Sequence, residues 1–114
     1  MDLLNPLRFG TGEPMEQIRA FGRERIRHFH WKDSRRALFR KGERGCVTLG
    51  QGDAGLDASA ALIRQLGFQD TWMISENYYY LEPLRLQGGD LAERAARDLA
   101  AMQAFFPDPR RADA

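Results

Sequence analysis

Apolar residues recur at helical spacing in three stretches of the chain, and these stretches predict three helices. They run from Pro14 to Arg23, from Asp57 to Gly67 and from Asp90 to Pro107. Proline suits a first helical turn because its missing N–H would have no partner there, and aspartate is a favoured N-cap. In the third helix, Glu93 follows Asp90 at the spacing of a capping box. The predicted core stripe of this helix consists of Leu91, Ala95, Leu99, Met102 and Phe106.

Short β-branched and aromatic segments alternate with these helices and predict three strands. The segments are residues 2–4, Ile26 to Trp31 and Thr71 to Glu76. Strands that alternate with helices imply parallel pairing and right-handed crossovers. We therefore expect one α/β domain over residues 1–107 and a frayed tail over residues 108–114. A long connection rich in Gly and Arg, residues 34–55, follows the carboxyl end of the second strand, where α/β proteins place their active sites.

Charge and cysteine content exclude several classes of function. The 114 residues carry a formal net charge of +1, whereas a general polyanion binder usually has a strong basic excess. The only cysteine is Cys46, so an intrachain disulfide is impossible and a reducing cytoplasm is the default compartment. No apolar run approaches the ~20 residues of a membrane span. We expect a cytoplasmic protein that binds neither nucleic acid nor membrane.

Three potential metal ligands lie at the carboxyl ends of the three predicted strands. They are Asp2, His30 and Glu76. Because such ends converge on one rim of a parallel sheet, the three side chains can bind one Mn²⁺, Co²⁺, Mg²⁺ or Zn²⁺ ion. The residues alone leave two alternatives open. In the first alternative, His30 is an ordinary hydrogen-bonded residue at the rim of the sheet and binds no metal. In the second, Glu76 forms an ion pair with Arg35 or Arg36.

The stretches "DLLNP", "RIRHFHWKD" and "LGQGDAGLDASAALIRQLGFQDTWMISE" also carry a family resemblance. They resemble the ends of the sixth, seventh and eighth strands in the sugar phosphate isomerase/epimerase family, the xylose-isomerase-like or AP-endonuclease-like TIM barrels. The third stretch is the most specific, because its glycine pair, helix, glycine–aromatic turn and terminal glutamate come in the family's order. The resemblance covers nearly the whole chain and implies the C-terminal three β/α units of a TIM (β/α)₈ barrel.

The resemblance implies a metal centre and a reaction. Asp2, His30 and Glu76 match three of the family's four divalent-metal ligands, and Glu76 would also be the catalytic acid/base. In such isomerases the metal chelates a carbonyl and an adjacent hydroxyl of a sugar. The metal thereby acidifies the C–H bond next to the carbonyl. A base removes that proton, and an enediolate forms.

Further residues match positions near the substrate. Arg36 matches a position that contacts substrate oxygens in ketose epimerases, and Lys32 is expected to hold an anionic group or Asp33. Asn5 stands where some members carry a histidine, which would change the substrate contacts. His28 is expected inside the barrel, behind the metal ligand.

Two departures from the family pattern bear on function. The fourth ligand is a glutamate on an earlier strand, and the chain contains no such strand. The DNA-repair branch of the superfamily uses three further zinc ligands, whose places are taken here by Asn5, Arg44 and Cys46. We therefore do not expect a DNA-repair function.

Three functions follow from these expectations. The first is a metal-dependent sugar or sugar-phosphate isomerase or epimerase, and the second is a dehydratase of an inosose-type keto-polyol. The third is a non-catalytic metal-binding or assembly remnant, for which "ENYYYLEP", residues 76–83, would be a contact surface; otherwise its tyrosines pack over the barrel mouth. Three strands leave an open edge, so we expect a homo-oligomer or association with a missing N-terminal portion.

Overall fold

A small parallel sheet with helices on one of its faces forms the centre of the molecule. The computed structural model describes residues 1–39, 45–80 and 82–108, so that Arg44 and most of the predicted tail lie outside the described residues. In chain order the elements are α1 (Asn5–Arg8), α2 (Pro14–Phe21), β1 (His28–Trp31), β2 (Asp33–Ser34), a 3₁₀ turn (Arg36–Leu38), β3 (Cys46–Val47), α3 (Leu56–Gln65), β4 (Trp72–Ser75), a second 3₁₀ turn (Leu84–Gln87) and α4 (Leu91–Phe105).

The parallel pairing predicted from the sequence is confirmed. β1 lies beside β4 in parallel, with His28 opposite Trp72. The predicted first strand is wrong in extent, because it is reduced to a single parallel bridge between Asp2 and His30. The Asp2 carboxylate accepts hydrogen bonds from the N–H groups of Leu4 and Asn5, which turns the chain out of the sheet and into α1.

The three predicted helices are confirmed, with corrected ends. α2 ends at Phe21, two residues early, because Gly22 follows it with a φ of 73°. The N-cap of α3 is Gly55 rather than the predicted Asp57, which lies in the first turn. The predicted cap of α4 is confirmed, since the Asp90 carboxylate accepts a hydrogen bond from the N–H of Glu93 at 2.9 Å. Among the described residues, no helix is both long enough and apolar enough to cross a bilayer.

The buried face of α4 differs from the predicted stripe. Met102 of the stripe is buried as predicted, but Leu91 and Leu99 are more than half exposed, and Asp98, which lies outside the stripe, is buried. The prediction failed because it excluded a charged residue from the core. Asp98 can be buried because its carboxylate accepts hydrogen bonds from three groups, as described below.

The long connection over residues 34–55 contains structure that the sequence did not predict. Its ends form the antiparallel pair β2–β3, in which Ser34 lies opposite Cys46. The buried Ser34 hydroxyl donates to the carbonyl of Gly45 at 2.6 Å. This pair brings the glycine-rich turn after β3 back to the end of β1.

The two faces of the parallel sheet have opposite environments. Phe29 and Trp31 on one face are fully buried, and the Trp31 ring stacks on Phe105 with centroids 5.7 Å apart. We call the other side the open face; it consists of His28, His30, Trp72 and Ile74. On it, Trp72 is 74% exposed and Ile74 is 40% exposed. The core therefore lies between the sheet and the helices, and the open face has no cover within the described residues.

Candidate metal centre

Asp2, His30 and Glu76 come together at the carboxyl ends of the parallel strands. One potential ligand atom from each side chain lies within 4.8 Å of the others. The bridge between Asp2 and His30 aligns the first two side chains. The N–H of Glu76 donates to the carbonyl of Trp31 at 2.9 Å, which extends the ladder beyond β4 and places Glu76 beside His30. His30 Nδ1 and Glu76 Oε2 are 2.7 Å apart.

The Asp2 carboxylate is held at both oxygens. Oδ1 accepts from the N–H groups of Leu4 and Asn5, at 2.8 and 2.7 Å. Oδ2 lies 3.0 Å from Nζ of Lys32. Asn5, predicted to contact substrate, is therefore adjacent to the centre through its backbone.

Lys32 is a buried cation at this centre. Its side chain is 3% exposed, its Nζ lies 3.5 Å from the Tyr78 hydroxyl, and it stands 5.2 Å from the centroid of the Tyr78 ring. Burial by itself lowers the pKa of Lys32. The hydrogen bond and charge of Asp2, with smaller contributions from Tyr78 and Glu76, outweigh burial, so the pKa is raised overall. Lys32 thus stays charged and pairs with Asp2, not with Asp33, which was one of its two expected partners.

Asp33 instead holds the glycine-rich turn. Its carboxylate accepts hydrogen bonds from the backbone N–H groups of Ser34, Gly50, Gly52 and Ala54. Burial raises the pKa of Asp33, and these four hydrogen bonds offset only part of that effect. Gly52 approaches so closely that an added Cβ would meet the carbonyl oxygen of Ser34 at 2.5 Å. The turn is thereby fixed against the end of β1.

Arg36 is not part of the cluster in this structure. Its side chain is exposed, and its guanidinium lies 5.6 Å from the centroid of the Phe39 ring. Its backbone N–H donates to the Asp53 carboxylate at 2.8 Å, which ties it to the glycine-rich turn. Within the described residues, Glu76 pairs with His30 and with neither Arg35 nor Arg36. The His28 ring is 5.1 Å from the His30 ring, on the open face.

The three tyrosines that follow Glu76 have different environments. Tyr78 faces Lys32, as described above, and Tyr80 is 62% exposed. The Tyr79 hydroxyl hydrogen-bonds to the Ser75 hydroxyl. Burial, together with the charge and hydrogen bond of Asp98, raises the pKa of Tyr79 to about 12, although the Ser75 bond opposes this. Tyr78 therefore borders the centre, whereas the sequence indicated only that the three tyrosines as a group could pack over the barrel mouth.

Two buried polar residues next to the centre were also missed. They are Asn77 and Asp98, at 6% and 0% exposure. Two features of the sequence indicate these residues. Asn77 directly follows Glu76, and Asp98 lies three and four residues before Ala101 and Met102.

The donor set fits a divalent cation. Two carboxylates and one imidazole are hard to borderline ligands of the kind that bind Mn²⁺, Mg²⁺, Co²⁺ and Zn²⁺. The Glu76 and His30 side chains are 41% and 32% exposed, so solvent and ligands can reach them. Asp2 is held by two backbone donors and one ammonium, so its carboxylate is fixed in orientation.

Parallel β/α units with polar groups at their carboxyl rim are compatible with a portion of a TIM barrel. One solved structure of this architecture is similar to the chain, the xylose isomerase domain protein from Planctomyces limnophilus. The match has a TM-score of 0.63 at 23% sequence identity and covers 91% of this chain. The chain corresponds to 36% of that protein's length. No protein-family model matches the chain, and no curated protein matches it in sequence. The xylose-isomerase-like fold predicted from the sequence is thus confirmed, as part of a barrel.

Proposed function

We propose that the chain is the metal-binding part of a divalent-metal-dependent sugar or sugar-phosphate isomerase or epimerase. The observation that carries this proposal is the convergence of Asp2, His30 and Glu76 at the carboxyl rim of a xylose-isomerase-like fold. A divalent metal bound there would polarise the carbonyl and hydroxyl oxygens of a sugar and so acidify the C–H bond between them.

The chain's own residues would share the remaining work. Glu76 is the candidate acid/base, because its carboxylate is the more exposed one and points to the rim. Lys32 is suited to stabilise negative charge on a substrate oxygen, since its ammonium is buried and stays protonated. The Tyr78 ring borders the same space and would limit the entry of water.

The local charge balance supports an anionic intermediate. Asp2 and Glu76 each contribute one negative charge and Lys32 one positive charge, which leaves a single negative charge before any cation binds. A bound divalent cation would reverse the sign. Preorganised positive charge of this kind stabilises an enediolate more than its neutral precursor.

The proposed activity requires further β/α units. A TIM barrel is filled by side chains from all eight strands, and the open face with Trp72 and Ile74 is the side that such units would cover. They would come from another copy of the chain or from a preceding segment, and one of them would supply the fourth metal ligand. The partners in this proposal are a small sugar or polyol and those units.

Calorimetric titration with Mn²⁺, Co²⁺ and Zn²⁺ tests the metal centre. We expect one ion to bind per chain, and we expect Glu76→Gln to weaken binding by at least tenfold because it removes one anionic ligand. The matched control is Glu82→Gln, which neutralises an exposed glutamate whose partner is Arg85. A wild-type chain that binds none of these ions, or binds them equally well after Glu76→Gln, would contradict the proposal.

An inosose-type keto-polyol dehydratase remains the alternative reaction, because it shares the first proton transfer. The two are distinguished by the products formed from a keto-polyol and from a ketose, once metal binding has been established. A chain that binds metal but turns over neither substrate would support the non-catalytic alternative.

A further inference from the structure

A buried hydrogen-bond network connects the strand ends that carry His30 and Glu76. At its centre is Asn77, the residue directly after Glu76. Asn77 Oδ1 accepts from the N–H of Asp33 at 3.1 Å, and its Nδ2 donates to the carbonyl of Val47 at 2.9 Å. One side-chain amide therefore joins the end of β4 to the chain after β1 and to β3.

Asp98 of α4 determines how this amide is oriented. Nδ2 of Asn77 donates to Asp98 Oδ2 at 2.7 Å, and a carboxylate can only accept. The backbone N–H of Asp33 can only donate, so the carbonyl oxygen of Asn77 must face it. The other carboxylate oxygen of Asp98 accepts from the N–H of Leu49 at 2.9 Å, and the Ser75 hydroxyl lies 3.4 Å from Oδ2.

The amide of Asn77 acts where the ladder between the strands stops. The N–H of Glu76 makes the last main-chain bond, to the carbonyl of Trp31. One step further, the N–H of Asp33 bonds to a side chain instead of to a main-chain carbonyl. The Asn77 side chain therefore links the two strands one step beyond the end of their main-chain ladder.

We infer that Asn77 and Asp98 together are a positioning device for the candidate metal centre; we call the pair the Asn77–Asp98 clamp. By holding the segment after Glu76 to the segment after His30, the clamp sets the separation and direction of these two side chains. The inference rests on the proposed metal centre for its functional meaning, but the separation it sets is a property of the metal-free chain.

Each single substitution places like groups against each other. Asn77→Asp brings two carboxyl groups to the distance of a hydrogen bond. Asp98→Asn places its NH₂ group against another donor, which is either the NH₂ group of Asn77 or, with the new amide rotated, the N–H of Leu49. The double variant Asn77→Asp/Asp98→Asn restores a donor–acceptor pair. It also keeps an oxygen acceptor for the N–H of Asp33 and another for the N–H of Leu49. The donor to the carbonyl of Val47 is lost, and the Ser75 hydroxyl then faces an NH₂ group in place of Oδ2 of Asp98.

Two readouts test the clamp, one of them without metal. NMR of the imidazole nitrogens of His30 reports its hydrogen bond to Glu76 in the metal-free chain, and calorimetry reports the Co²⁺ affinity. We expect each single variant to change the His30 signal and to weaken Co²⁺ binding about 10–100-fold, as loss of groups that orient ligands commonly does. The double variant should recover the wild-type His30 signal and at least tenfold in affinity.

The control is Thr48→Val, which removes a partly buried hydrogen bond to Gln87 that does not involve the clamp. It should leave both readouts unchanged. Single variants that fold and keep the wild-type His30 signal and Co²⁺ affinity would overturn the inference, as would a folded double variant without recovery. If a single variant does not fold, the double variant alone tests the inference. Recovery of the wild-type His30 signal supports it, and failure to recover that signal overturns it. A wild-type chain that binds no Co²⁺ would refute the proposed function, while the His30 signal would still test the clamp.

Discussion

Lys32→Met isolates the buried ion pair at the centre of the site. The substitution keeps the length and most of the volume of the side chain but removes its charge. Asp2 then loses the ammonium 3.0 Å from its Oδ2 and keeps only its two backbone donors. Because Lys32 is 3% exposed and Asp2 17% exposed, water can replace the ammonium only in part. We expect a clear loss of stability.

The size of the loss follows from the geometry. Two unit charges 3.0 Å apart attract each other by about 5–6 kcal/mol at an effective dielectric constant of about 20. Desolvation of both groups offsets part of this attraction, and removal of one partner from a buried pair typically costs about 3–5 kcal/mol. Asp2 is only partly buried and retains two amide donors. We therefore expect Lys32→Met to lower the free energy of unfolding by about 2–3 kcal/mol.

Urea unfolding of four proteins measures the pair directly. They are the wild type, Lys32→Met, Asp2→Asn and the double variant, and the cycle should give a coupling energy of about 1–2 kcal/mol. The exposed pair of Glu82 and Arg85 is a matched control and should give less than about 0.5 kcal/mol. A coupling energy for Lys32 and Asp2 no larger than that of the control would refute the reasoning.

Three further substitutions test other parts of the structure. Trp31→Ala should lower the free energy of unfolding by about 3–5 kcal/mol, because it empties the space under the Phe105 ring of α4. Denaturant unfolding would show the loss, and a loss below about 1 kcal/mol would contradict the packing. Gly52→Ala should cost about 1–3 kcal/mol, since the new Cβ would displace Ser34 and Asp33; an unchanged melting temperature would contradict this close approach. Ultraviolet titration should show one of the three tyrosines ionising near pH 12, and Tyr79→Phe should remove that step. The pKa of Tyr79 is higher in the folded chain than its usual value of 10, so its contribution to stability is complete below pH 10 and is lost as the pH rises towards 12. An ultraviolet titration that Tyr79→Phe leaves unchanged would exclude the assignment of the step to Tyr79.

The longer helices and the two main strands could be predicted from the sequence because they have strong local signals, whereas α1 and the pair β2–β3 were not predicted. Alternating apolar residues define β1, and Asp90 marks the start of α4 with its side chain. The bridge between Asp2 and His30 could be predicted in position but not in length, because the turn into α1 depends on which backbone groups the Asp2 carboxylate accepts.

The surroundings of the candidate centre were less predictable than its three potential ligands. The ligands follow from period-two alternation and from the convergence of parallel strand ends. The partner of Lys32 could not be predicted in this way, because Asp33 is next to it in sequence and Asp2 lies beside it in the fold. Asp33 is occupied by amides of the glycine-rich turn, a set of contacts that forms only when β3 pairs with β2. The burial of Asp98 could not be predicted from helical periodicity, because that pattern assigns charged residues to the exposed face of a helix.

The two tryptophans lie on opposite sides of the sheet. Trp31 is fully buried against the helices, whereas Trp72 on the open face is 74% exposed. The chain thereby carries its own optical probe: quenching of tryptophan fluorescence by iodide should reach Trp72 and spare Trp31. Anything that covers the open face, whether another copy of the chain or further β/α units, should protect Trp72 and shift its emission to shorter wavelength. Fluorescence of the unlabelled chain can therefore report whether the open face is covered before any substrate is known.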